Sequence, residues 1–80
     1  MMDSITPEEK KRVLLEILSS EILEEGTQVD ENTDLHGVGL DSMATMQLLI
    51  RIEQRFGTQI PASKLTKENL SSVNNLARII

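Results

Sequence analysis

Apolar residues recur at helical spacing in the first part of the chain. The stretch begins at residues 6–9, where Thr6 can cap a helix, Pro7 suits the first helical position and Glu9 can complete a capping box. We expect Gly26 to end this helix in the left-handed conformation. The apolar positions between these limits, which predict one buried face, are Val13, Leu14, Ile17, Leu18 and Ile22.

A second helix is predicted from Ser42 to Phe56, capped by Asp41 or Ser42 and stopped by Gly57. At about 100° per residue, its apolar residues fall on one broad face, which we expect to pack in the core. The residues of this face are Met46, Leu48, Leu49, Ile50, Ile52 and Phe56. Met43 lies at the edge of the opposite, exposed face, which carries Ala44, Gln47, Arg51, Gln54 and Arg55.

The rest of the chain predicts loops and two shorter helices. Residues 27–41 lack periodicity and form a long polar loop, which we expect to be pinned by Val29, Leu35, Val38 and Leu40. Residues 62–69 predict a short helix anchored by Leu65, and Ser71 or Ser72 caps a last helix that carries Val73, Leu76, Ala77 and Ile80. No strand pattern is present. The prediction is an all-α fold, a small four-helix bundle of three main helices and a short third one, forming a single domain over residues 1–80.

Composition narrows the classes of function. The 80 residues include no cysteine, which excludes disulfides, thiolate metal sites and a cysteine nucleophile, and a reducing compartment is the simpler expectation. The net charge of −5 and a single aromatic residue, Phe56, argue against nucleic acid and anionic membranes as partners. No apolar run approaches the ~18 residues of a membrane span. We expect a cytoplasmic monomer that does not insert into membranes.

Ser42 is the candidate site of chemistry. A serine at a helix N-terminus lies in a positive partial field, which favours a phosphate attached there. Asp41 adds a neighbouring carboxylate, an oxygen ligand suited to a Mg²⁺ ion brought by a modifying enzyme. From its position alone, however, such a serine is more often an ordinary helix cap.

The sequence around Ser42 resembles the signature of the acyl carrier protein family. In that family Asp-Ser-Leu or Asp-Ser-Met opens the second helix, as Asp41-Ser42-Met43 does here, and an aliphatic helix follows. Phe56, Gly57 and Ile60-Pro61 continue the pattern, and Leu70-Ser71-Ser72-Val73 matches the start of the last family helix. The resemblance covers nearly the whole chain and includes D-alanyl carriers and carriers of specialised metabolism.

The resemblance implies a role as a carrier and not as an enzyme. A phosphopantetheinyl transferase would move 4'-phosphopantetheine from coenzyme A to the Ser42 hydroxyl, beside Asp41. The thiol of that group would hold an acyl or aminoacyl cargo as a thioester. Ligases or synthases of fatty-acid, polyketide or other specialised biosynthesis would then be the partner enzymes.

The second predicted helix departs from the fatty-acid members of the family, which usually show an acidic helix here. Its expected docking residues are Met43, Ala44, Gln47, Arg51, Gln54 and Arg55. They include two arginines and no acid, which favours a partner with a neutral or acidic docking patch. Alternatively, the arginines only solvate this face and pair with nearby acids.

The loop before Ser42 also suggests a calcium site. Asp30, Asn32 and Asp34 occupy alternate positions, as in an EF-hand loop over residues 30–41. However, the sixth position, which should be glycine, is Leu35, and the twelfth, which should be glutamate, is Asp41. We therefore expect these polar residues to act as loop caps and turn formers.

A hydrolase and a helical adaptor would both function without a cofactor. The hydrolase would pair His36 with Ser42 and an acid such as Asp34, but the chain has no Gly-x-Ser-x-Gly motif and little room for a cleft. A helical adaptor or dimerisation domain would explain the bundle and leave the Asp-Ser-Met context without a reason.

Overall fold

The computed structural model describes residues 5–80, and residues 1–4 lie outside it. The helices are α1 (Pro7–Ile17), α2 (Ser42–Phe56) and α3 (Val73–Ala77). A π-helical turn, Leu18–Ile22, continues α1, and a 3₁₀ turn, Ala62–Lys64, lies between α2 and α3. Residues 5–80 contain no strand, so the predicted all-α class is confirmed. The short third helix is reduced to the 3₁₀ turn.

The start of α1 follows its sequence signals, and its end does not. Thr6 caps the helix by accepting a hydrogen bond of 3.2 Å from the Glu9 backbone N–H, and Pro7 is the first helical residue. The expected end at Gly26 was wrong, because the π-helical turn closes at Ile22 and the backbone is extended at Leu23. In a continuous α-helix Leu23 would lie about 140° from Leu18 and would leave the core. The widened turn and the extended residue let both side chains be buried.

One apolar core joins the three helices and the long loop. Leu35 and Leu40 of the loop are buried, and Val29 and Val38 pack against them, as the sequence predicted. Among residues 5–80 no polar side chain is buried. The twelve buried residues are Leu14, Ile17, Leu18, Leu23, Leu35, Leu40, Leu48, Ile52, Leu70, Val73, Leu76 and Ala77.

The buried face of α2 is narrower than the sequence suggested. Leu48 and Ile52 are fully buried, whereas Met46 is 60% exposed and Ile50 is 48% exposed. The prediction that Met46 points into the core was therefore wrong. The helix packs against α1 and the π-helical turn, whereas the segment after Phe56 forms just one 3₁₀ turn and leaves Met46 and Ile50 largely exposed.

The remaining helix ends are set by local signals. Gly57 ends α2 in the left-handed conformation, with φ +67°, and its N–H donates to the Glu53 carbonyl. Ser72 caps α3 by accepting from the Asn75 N–H. This helix ends at Ala77, so Ile80, expected within it, lies beyond its end. None of the helices within residues 5–80 is long and apolar enough to cross a membrane.

Candidate functional site

Asp41 rather than Ser42 caps α2. The Asp41 carboxylate accepts a hydrogen bond of 2.9 Å from the Ala44 N–H, and its backbone carbonyl accepts from both the N–H and the hydroxyl of Thr45. Ser42 is then the first helical residue, and its side chain is exposed. Within residues 5–80 the Ser42 hydroxyl makes no hydrogen bond, so it is accessible to a modifying enzyme.

The backbone around Ser42 is suited to a phosphate. The N–H groups of Ser42 and Met43 lie in the first turn of a 15-residue helix, where no helical carbonyl precedes them. They supply the positive end of the helix field. The Asp41 carboxylate precedes them as the cap, and no further acid lies within the first turn. Gly39, at φ +113°, forms the bend that brings the chain to this point, and no atom lies within 4 Å of where its Cβ would be. The residues present therefore fit an attached phosphodiester.

A groove begins at Ser42 and follows α2. It has a volume of about 550 Å³ and is lined by His36, Leu40, Asp41, Ser42, Thr45, Met46, Leu49, Leu65 and Leu70. Met46, Leu49 and Leu65 also line an adjoining hollow of about 210 Å³, which reaches Ile50, Glu53 and Ile60. The two hollows form a mostly apolar track that leads away from the serine hydroxyl. Sequence analysis missed this groove because Met46 was assigned to the core.

The predicted docking residues do not all share one exposed surface. Met43 is 72% exposed, and Gln47, Gln54 and Arg55 are exposed as well. Ala44 is half-buried against the core, and Arg51 is half-buried. The most exposed apolar residues of α2 are instead Met43, Met46 and Ile50, which we call the α2 stripe.

Both arginines of α2 lie close to acids of the first helical segment. Arg51 Nε is 2.8 Å from Glu21 Oε1, although the N–H is not aligned for a hydrogen bond, and Arg55 Nη2 is 3.6 Å from Glu16 Oε1. The pairing with nearby acids that the sequence suggested for these arginines is therefore present. Exposed pairs of this kind contribute little to stability, about 0–1 kcal/mol each.

His36 and Asp34 do not form a catalytic arrangement with Ser42. The His36 Nε2 atom lies 3.1 Å from the Lys67 carbonyl oxygen. The Asp34 carboxylate accepts a hydrogen bond of 3.2 Å from the His36 backbone N–H, which supports the loop. This contact joins the long loop to the segment before α3, and His36 lines the same groove as Ser42.

The other polar residues of the loop form turns, as expected. The Asp30 carboxylate accepts from the Asn32 N–H at 2.8 Å and from the Thr33 hydroxyl at 3.1 Å. The Asn32 side-chain oxygen accepts from Asn74 in α3 at 2.6 Å. These oxygens are engaged within the protein, and residues 5–80 contain no group of three acids or histidines placed to hold a metal ion.

The Asp30 turn should make stability depend on pH in the acid range. The hydrogen bond from the Asn32 backbone, and then that from Thr33, lower the pKa of Asp30 below its usual value of 3.8. Because the folded pKa is the lower one, this stabilisation is present above the unfolded pKa and is lost as the pH falls through the folded pKa. We expect Asp30→Ala to lower the melting temperature at about pH 7 and to have less effect at about pH 2. Thermal unfolding followed by circular dichroism measures both values.

Glu31→Gln is the matched control for this prediction, because it removes a neighbouring charge without removing a turn hydrogen bond. An equal loss of melting temperature for Asp30→Ala at both pH values would contradict the role of the ionised carboxylate.

Comparison with known proteins points to one family. The family model described as a phosphopantetheine attachment site matches residues 12–80. The chain is 29% identical over 66 residues to the D-alanyl carrier protein of Streptococcus suis, with 82% of this chain and 84% of the relative covered. It is 48% identical over 54 residues to the D-alanyl carrier protein of Listeria monocytogenes, with 60% of this chain and 69% of the relative covered.

Solved structures give the same result. A chain in the crystal structure of Bradyrhizobium japonicum glycine:[carrier protein] ligase complexed with glycylated carrier protein matches with a TM-score of 0.78 and 32% identity. The match covers 89% of this chain and 97% of that one. A second crystal structure, of the ligase with its cognate carrier protein and an analogue of glycyl adenylate, matches with a TM-score of 0.76 and 33% identity, covering 88% of this chain and 92% of that one.

Proposed function

The chain belongs to the family of phosphopantetheine-binding carrier proteins, whose prosthetic group is 4'-phosphopantetheine, and we propose that Ser42 carries this group. The observation that supports the assignment is the exposed Ser42 hydroxyl, which makes no hydrogen bond within the described chain while Asp41 caps the helix. The attached group supplies a thiol on which cargo is held as a thioester.

The protein's own residues position the group and catalyse no step. The N–H groups that open α2 stabilise negative charge at Ser42. The groove offers an apolar surface along Met46, Leu49 and Leu65. Holding a substrate on a tether raises its local concentration at each partner enzyme in turn, which is the benefit that a small carrier provides. A cytoplasmic location, expected from the cysteine-free sequence, remains a prediction.

An amino acid is the cargo that the relatives favour. Curated relatives include several D-alanyl carrier proteins and one acyl carrier protein homolog, and the structural neighbours come from complexes of a glycine:[carrier protein] ligase. We propose that an aminoacyl ligase loads this carrier after a phosphopantetheinyl transferase has modified it. Fatty-acid or polyketide intermediates are the alternative cargoes.

Intact-protein mass spectrometry tests both steps. The protein is incubated with coenzyme A and a promiscuous phosphopantetheinyl transferase, and then with ATP, an aminoacyl:carrier ligase and either glycine or D-alanine. We expect one phosphopantetheine adduct, followed by one aminoacyl increment that hydroxylamine removes. Absence of any adduct would contradict the carrier function. An adduct that accepts fatty acyl groups from an acyl ligase but no amino acid would contradict only the proposed cargo.

The α2 stripe is the proposed docking surface for the loading ligase. Met43, Met46 and Ile50 follow Ser42 along α2 and expose apolar surface, whereas Arg51 and Arg55 lie near acids of the same molecule. The contact that the partner makes should therefore be mainly apolar. Of the neutral or acidic docking patch that the sequence favours, this supports the neutral form, since the two arginine charges are partly neutralised within the carrier.

Substitution of the stripe should weaken ligase loading. We expect Met43→Ser to raise the KM of the ligase for the carrier about tenfold, because burying a methionine side chain at an interface is worth about 1.5–3 kcal/mol. The effect should change little between low and high salt, since screening acts on charges and leaves apolar contacts intact. Steady-state loading kinetics at two salt concentrations measure it. If Arg51→Gln with Arg55→Gln raised KM more than Met43→Ser does, and salt abolished the difference, docking by charge would be the correct account.

A further inference from the structure

His36 is a groove-lining side chain that neither the attachment site nor the α2 stripe uses. The polar residues that line the groove with it are Asp41, Ser42 and Thr45. The Asp41 carboxylate accepts from the Ala44 N–H, and the Thr45 hydroxyl donates to the Asp41 carbonyl at 2.7 Å. The second carboxylate oxygen of Asp41 and the Thr45 oxygen keep free lone pairs at the start of α2, and His36 is the polar lining residue that lies outside this helix and its cap.

The contact with Lys67 fixes which ring nitrogen is available. A backbone carbonyl can only accept, so the Nε2 atom that lies 3.1 Å from the Lys67 oxygen must carry the proton. In the neutral ring the Nδ1 atom then has a lone pair and acts as an acceptor. Within residues 5–80 Nδ1 makes no hydrogen bond. His36 is half-buried and lines the groove together with Leu40, Leu65 and Leu70.

We propose that His36 Nδ1 accepts a hydrogen bond from the phosphopantetheine arm and holds the arm along the groove. This inference rests on the proposed attachment of the arm to Ser42. The arm carries one hydroxyl and two amide N–H groups, each of which can donate to a ring nitrogen. Its methyl and methylene groups suit the apolar walls at Met46, Leu49 and Leu65. Lys67 orients the ring through its carbonyl, so that the segment before α3 sets the position of the acceptor.

Holding the arm in this way would give the carrier two states. In one state the arm lies in the groove, and in the other it extends into a partner enzyme. A hydrogen bond of ordinary strength favours the first state by about two- to tenfold. The arm can therefore be retained between partners and still be released when a partner binds.

Nitrogen NMR on the intact protein tests the proposal without any substitution. The single histidine is labelled with ¹⁵N, and the Nδ1 and Nε2 resonances are compared before and after modification of Ser42, at a pH where both frequencies show a neutral ring. We expect the Nδ1 resonance to move upfield on modification and the Nε2 resonance to keep its frequency in the unmodified protein. We also expect nuclear Overhauser contacts between the ring protons and the arm. An unmoved Nδ1 in a sample that mass spectrometry shows to be fully modified would overturn the inference and leave the carrier function intact. Failure to modify Ser42 at all would instead contradict the proposed function.

A variant gives a second, independent measurement. In His36→Ala we expect the ratio of held to extended arm, read from the shift changes that the arm induces at the Leu65 and Leu70 amides, to fall by about two- to tenfold, as the loss of one hydrogen bond predicts. The control is Gln28→Ala, an exposed residue of the same loop that lines neither hollow of the track. Comparing apo with holo spectra within each variant separates an effect on the arm from a general loosening of the loop. Unchanged arm-induced shifts in His36→Ala would contradict the proposal.

Discussion

Replacement of Ser42 with alanine should abolish attachment of the prosthetic group and leave the fold intact. The hydroxyl oxygen is the attacking atom in the transfer, and alanine has no substitute for it. The side chain is exposed and makes no hydrogen bond within residues 5–80, so its removal should change stability by no more than about 0.5 kcal/mol. Intact mass after incubation with coenzyme A and a transferase measures attachment, and circular dichroism measures the fold.

Two further variants sharpen this result. Ser63→Ala removes another exposed hydroxyl, in the 3₁₀ turn, and should be modified as fully as the natural sequence. Asp41→Ala should lower the free energy of unfolding by about 1 kcal/mol, because α2 loses the acceptor for the Ala44 N–H. An adduct that persists in Ser42→Ala would place the attachment site elsewhere and would refute the assignment to Ser42.

Truncation of Ile52 to alanine should cause a large loss of stability. Ile52 is fully buried in the core that joins α2 to the rest of the bundle. Removing its outer carbons costs about 2–5 kcal/mol through lost burial and the cavity left behind. A domain of this size has a total stability of about 5–15 kcal/mol, so a substantial part of the protein's stability would be lost. Urea denaturation followed by circular dichroism measures the change.

The adjacent residue supplies the control. Glu53→Ala changes an exposed side chain one position further along the same helix, and its effect should stay within about 0.5 kcal/mol. Equal losses for the two variants would mean that helix propensity, and not core packing, determines the stability of α2.

The parts of the fold that could be predicted from sequence depend on short-range signals. Thr6, Asp41 and Ser72 each bond to an N–H group three residues later, and Gly57 supplies the left-handed residue after α2. Because each signal and its partner lie within one helical turn, the sequence contains the whole interaction. The position of the candidate serine follows from the start of α2, and the resemblance of the surrounding residues to the carrier family indicated its role.

The parts that could not be predicted depend on distant segments. Met46 and Ile50 have apolar side chains at helical spacing, and only the short 3₁₀ turn after α2 explains why they remain exposed. The groove needs Leu65 and Leu70 to lie opposite α2, and no local pattern specifies that arrangement. The early end of α1 likewise depends on where Leu23 meets the core.

Because Asp41 caps α2, the start of the helix does not depend on the side chain of Ser42, where the prosthetic group would be attached. Had the serine hydroxyl closed the first turn, converting it to a phosphodiester would have taken an acceptor away from the backbone each time the group was added. With the carboxylate in that role, the arm can be installed, exchanged or removed while every hydrogen bond of the scaffold is retained. Enzymes that act on the unmodified and modified forms would therefore encounter the same rigid helix start.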